Sequence, residues 1–173
     1  FHVTGVQTCA LPILSGGGAI ADAGAVTVTS PGILKLNASE TLGSLAGTGA
    51  VNLQSNALTV GGSSSTIYSG VMSGVGGSLV QGGVGALTLS GVNTFTGGVT
   101  IGSGSVRVGN NSGLGTGVVT MSGGALSSDS TTARVMTNGF SFGGTVTLGD
   151  PTNSGALTLG GTGTLTANTT VTV

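Results

Sequence analysis

Chemistry-bearing residues are scarce in this chain. Its 173 residues include one cysteine, one histidine, three prolines, no tryptophan and only 4% charged side chains. Ordinary globular domains carry about 25% charge, so a conventional charged-surface α/β enzyme is excluded. Lys35, Arg107 and Arg134 are the only basic residues besides His2. Three cations cannot neutralise a run of phosphates, which excludes a nucleic-acid partner. No apolar run approaches the roughly 18 residues of a spanning helix, so no membrane-spanning segment is expected. Collagen needs Gly at every third position and abundant Pro, and neither is present. Aromatics are 3% of the chain, too few for the girdles of a transmembrane barrel.

What is abundant is small. Glycine alone contributes 37 residues, and serine and threonine add 21 and 27. The mean hydropathy is nevertheless +0.50, unlike a solvated disordered segment. Short runs alternate apolar and polar residues, as half-buried strands do: Ala25–Thr29, Ser105–Val108, Gly117–Met121, Thr145–Leu148 and Thr169–Val173. The first four are closed by Gly or Ser, and no helical period survives two turns. The runs resemble one another. Ala57-Leu58-Thr59-Val60 returns as Ala86-Leu87-Thr88-Leu89 and again as Ala156-Leu157-Thr158-Leu159. Gly47–Leu53 is matched further along the chain by Gly115–Met121. Repeated brief strands and turns predict an all-β parallel β-helix, with coils of roughly 20 residues. Stacking strand on strand leaves unpaired backbone mainly at the two ends. Val26, Val28, Leu34, Leu36, Leu53, Leu58, Val60, Leu87, Leu89, Val99, Ile101, Val106, Val108, Val119, Met121, Val146, Leu148, Leu157 and Leu159 are expected to point inward. Gly and Asn are expected to supply positive-φ corners, and no end caps are visible.

Residues 3–13, Val-Thr-Gly-Val-Gln-Thr-Cys-Ala-Leu-Pro-Ile, resemble the conceptual translation of a common sequencing adaptor. Residues 1–14 are therefore read as an adaptor-derived artefact, and 15–173 as the β-helix repeat region. A signal peptide would need a basic n-region and a longer apolar core. On this reading the chain is a fragment lacking both natural ends, since it stops within an alternating run at Thr172-Val173. Cys9 and His2 both fall in the excluded segment. The remainder has no thiol or imidazole, so no Ser-His-Asp or Cys-His nucleophile and no His- or Cys-based metal site is expected.

The carboxylates are Asp22, Glu40, Asp129 and Asp150. Polysaccharide hydrolases on β-helices use paired carboxyls about 5–9.5 Å apart. Here the four are widely separated in sequence and share no local motif, so all four read as solvated loop residues. Lys35 and Arg107 read as outward charges that discourage edge pairing. Arg134 has no visible partner. Asn93, Asn110 and Asn111 read as corners, and Tyr68, Phe95, Phe140 and Phe142 as interior filling rather than an adhesive patch. No catalytic, metal-binding or cofactor-binding residue is assigned, and no cofactor is expected.

Residues 69–126 resemble the passenger-associated β-strand repeat of bacterial autotransporters. Ser69-Gly70-Val71-Met72-Ser73-Gly74 opens the similarity and Leu79 follows. Gly85-Ala86-Leu87-Thr88-Leu89-Ser90-Gly91-Val92-Asn93-Thr94-Phe95-Thr96-Gly97-Gly98-Val99-Thr100-Ile101 is its centre. Val106–Asn110 and Leu114-Gly115-Thr116-Gly117 complete it. Gln81, Ala86 and Phe95 stand where the family usually has Lys, Thr and Tyr. Weaker copies cover 45–62 and 145–173. The resemblance implies a right-handed parallel β-helix that serves as a non-catalytic stalk or adhesin segment. It would be displayed on, or secreted from, the surface of a Gram-negative-type envelope by type V secretion. The implied partner is an outer-membrane β-barrel translocator in cis beyond Val173. Contacts to host surfaces, glycans or other copies are left open. The alternative is the scaffold part of an exported protease, esterase or polysaccharide-degrading enzyme whose catalytic residues lie elsewhere.

Overall fold

The structure is a computed structural model that describes residues 13, 14, 18–166 and 168–173. His2, Cys9 and most of the adaptor-like segment lie outside the described residues. The described chain contains strands and turns and no helix. All strand pairs are parallel, and consecutive strands fall in different sheets. The result is a β-solenoid with three faces.

The first face stacks eight strands: Ala25–Val28, Ser44–Gly47, Thr66–Tyr68, Ala86–Leu89, Ser105–Val108, Ala125–Ser128, Thr145–Leu148 and Thr170–Thr172. The second stacks seven: Glu40–Leu42, Ala57–Val60, Ser78–Gln81, Val99–Ile101, Val119–Met121, Phe140–Phe142 and Gly163–Leu165. The third begins with Ile13–Leu14, Ile33–Leu36, Ala50–Asn52 and Met72–Ser73. Ile13 and Leu14, the last residues of the segment read as adaptor-derived, pair in register with Lys35 and Leu36. One coil is short where Val26 lies opposite Leu45. It is longest where Val146 lies opposite Val171, because the chain makes an extra excursion there.

The alternation seen in sequence places the core. Of the inward set, all are buried except Leu148, Leu157 and Leu159, which pack half-buried against it. Tyr68 and Phe95 are fully enclosed, and Phe140 and Phe142 pack with ring centroids 5.8 Å apart. The buried Tyr68 hydroxyl donates to the Gly49 carbonyl at 2.8 Å. Its burial raises the phenol pKa above the ordinary tyrosine value.

The repeated motifs do not mark equivalent positions. Ala57–Val60 is on the second face, Ala86–Leu89 on the first, and Leu157–Leu159 on a two-stranded continuation of the third with Arg134–Met136. An apolar–Thr–apolar strand suits any face of a solenoid, since each needs the same period of two. The offset between the first two copies is therefore one coil plus one face.

Close approach is met by glycine at the corner from the second face to the first. A Cβ on Gly62, Gly83 or Gly104 would collide with the carbonyl oxygen of Gly43, Gly62 or Gly83 one coil below. Each corner there follows the one beneath it too closely to leave room for a side chain.

The asparagine corners work differently from expectation. The non-glycine residues with positive φ are Gln54 and Asn168 among those described; Asn93, Asn110 and Asn111 are not among them. Asn93 acts through its amide instead. The third face has no assigned strand between Met72–Ser73 and Arg134–Met136. In that interval the buried Asn93 Oδ1 accepts the Met72 N–H at 2.8 Å, and Nδ2 donates to the Gly113 carbonyl at 2.7 Å. One side chain thus bridges the coil below and the coil above, as a peptide group would. Asn138 Nδ2 donates to the Gly115 and Gly117 carbonyls. Asn111 Oδ1 accepts the Val135 N–H, while Asn110 Oδ1 closes its own turn onto Ser112 N–H.

Candidate functional site

The first face leaves each coil by loops at Gly109–Gly113, Asp129–Ala133 and Gly149–Ala156, between its strands and the next elements. In repeat proteins such excursions gather on one side and commonly carry binding functions. Here they gather four of the described charges. Arg107 points outward from its strand, and its Nη2 lies 3.0 Å from Asp150 Oδ2. Arg134 Nη2 lies 2.8 Å from Asp129 Oδ1. Arg134 Nε also donates to the Val108 carbonyl at 3.1 Å, tying its loop to the strand of an earlier coil.

These pairings revise three sequence readings. Arg134 has a partner, Arg107 is engaged rather than a free outward charge, and Asp129 and Asp150 are ion-paired rather than simply solvated. The two pairs carry different signals. Arg134 follows Asp129 by five residues, across one loop. Asp150 follows Arg107 by 43 residues, which a repeat of roughly 20 residues stacks two coils apart.

Both aspartates are held as carboxylates. Burial acts to raise the Asp129 carboxyl, but hydrogen bonds from Arg134 and Ser130 and the Arg134 charge outweigh it, holding the group below its usual range. The N–H groups of Thr152 and Asn153 donate to Asp150 Oδ1, and with a smaller contribution from Arg107 they pull that carboxyl down to about 2. A two-carboxyl hydrolase requires one carboxyl raised so that it can donate a proton. Neither of these can do so near neutral pH. The cluster can neutralise, position loops and resist their separation.

Glu40 also departs from its sequence reading. It is 3% exposed, and its carboxylate oxygens accept the N–H groups of Ala19 at 2.9 Å and Ile20 at 3.3 Å. This contact seats Ile20 on the core. It partly covers the first described coils, where sequence alone showed no cap. Asp22 is exposed and Lys35 half-buried. Among the described residues, no group of three or more His, Cys, Asp or Glu side chains could hold a metal ion. No described helix is long and apolar enough to cross a membrane.

Two concavities lie nearby. A groove of about 320 Å³ on the first face is lined by Ser65, Ile67, Thr88, Ser90, Arg107 and Asp129, among others. A larger cleft of about 660 Å³ opens at the last coil between Leu148, Pro151, Leu157, Leu159 and Val173. On the second face Thr41, Thr59, Val80, Thr100, Thr120, Ser141 and Thr164 stand in one file by strand register. Strand spacing puts neighbours in the file about 4.8 Å apart. No family model, curated protein or solved structure matches the chain.

Proposed function

We propose that this chain is a stalk segment of a type V secreted passenger, displayed at the surface of a Gram-negative-type envelope. The observation that carries the reading is the continuous apolar interior of a parallel solenoid, clothed outside by neutral hydroxyl side chains and glycine corners. A rod of this kind holds an attached domain away from its anchor. It needs no active site, and it can fold coil by coil as it emerges, because each coil contacts chiefly its neighbours. The likeness of residues 69–126 to the passenger-associated repeat supports the same reading. So does the absence of cysteine from residues 10–173, since a disulfide would obstruct export through a narrow pore. The partner called for is an outer-membrane β-barrel translocator. On this proposal the stalk itself carries no catalysis.

The test places the chain between a cleavable signal peptide, an epitope tag and an autotransporter barrel in a Gram-negative host. Tag accessibility on intact cells is measured alongside protease resistance of the displayed segment. The reading expects surface tag with a protease-resistant solenoid. Retention of the segment in the periplasm, or display as a fully digestible chain, would overturn it.

A further inference from the structure

We draw no further inference here: the strongest candidate, the uncharged outward file from Thr41 to Thr164 along the second face, hydroxyl-bearing except at Val80, is an unpartnered sheet face, and nothing in the structure shows what covers it.

Discussion

Replacing Asn93 should loosen the solenoid where its third face lacks strands. The amide is buried and serves two main-chain groups, the Met72 N–H and the Gly113 carbonyl, at 2.8 and 2.7 Å. In Asn93→Ala both lose that partner inside the structure. Each orphaned buried group costs about 1–3 kcal/mol, so the expected loss is about 4 kcal/mol. That is a large share of the roughly 5–15 kcal/mol available to a domain. Asn93→Leu separates hydrogen bonding from packing, because it restores most of the volume and neither bond. Hydrogen bonding as the cause predicts nearly equal losses for Ala and Leu. Asn110→Ala, which removes only an exposed turn contact to Ser112, should cost under about 1 kcal/mol. Urea unfolding followed by far-UV circular dichroism gives the totals, and native-state hydrogen exchange at the Met72 amide reads the local opening. If Asn93→Leu matched the parent while Asn93→Ala did not, the side chain would matter as filler, and its role as a surrogate peptide group would be refuted.

Four further outcomes follow from the same geometry. Gly83→Ala should cost at least about 2 kcal/mol, because the new methyl meets the Gly62 main chain. Gly102→Ala, whose nearest neighbour would be the Gln81 carbonyl oxygen at 3.8 Å, should be near neutral; equal urea midpoints for the two variants would contradict the corner argument. Asp150 has a folded pKa of about 2 against an ordinary 3.8, so its contribution is present above about pH 4 and is lost as pH falls toward 2. The N–H groups of Thr152 and Asn153 supply most of that shift and the side chain is partly exposed, so the contribution is about 1 kcal/mol, and Asp150→Asn should flatten the acid limb of stability against pH. An unchanged acid limb in the variant would remove the Asp150 carboxylate from the account. Tyr68→Phe deprives the Gly49 carbonyl of its buried donor and should cost about 1–2 kcal/mol by thermal or urea melt, with no loss expected if that carbonyl is otherwise satisfied. Glu40→Ala should speed hydrogen exchange at the Ala19 and Ile20 amides while exchange at Leu126 stays unchanged; a uniform increase would mean global destabilisation instead.

The period of two is a local property, and it was legible. It placed Leu58, Leu87, Val106 and Val119 in the core, and the expected coil length matches registers such as Val106 opposite Leu126. Face assignment was not legible, because all three faces impose the same alternation. Ala57–Val60 and Ala86–Leu89 are nearly identical in sequence and lie in different sheets. Corners decide which face a strand joins, and corner geometry depends on the coil beneath, as the stacked Gly62, Gly83 and Gly104 demonstrate. The charged residues teach the same lesson. Asp129 finds Arg134 five residues on, across one loop. Asp150 looks isolated by nearness in sequence, yet two coils bring it against Arg107. A solenoid turns separations of whole coils into contacts, so a pair of that kind is found only after the coil length is known.

Period also bears on how such a chain can work. Charges brought together at one corner satisfy each other, and the second face is left neutral, with Thr100 and Thr120 exposed in file and no ionised side chain among its outward residues. Neutral faces give little electrostatic steering toward a charged partner, so specificity in a longer molecule would have to come from loops or from attached domains. The excursion after Leu148 produces the longest coils described, and a shorter loop follows Ser128. Both loops are held by Arg134 and Arg107 against the rod. The corner with the longest excursion is thus also the corner where two ion pairs hold the loops.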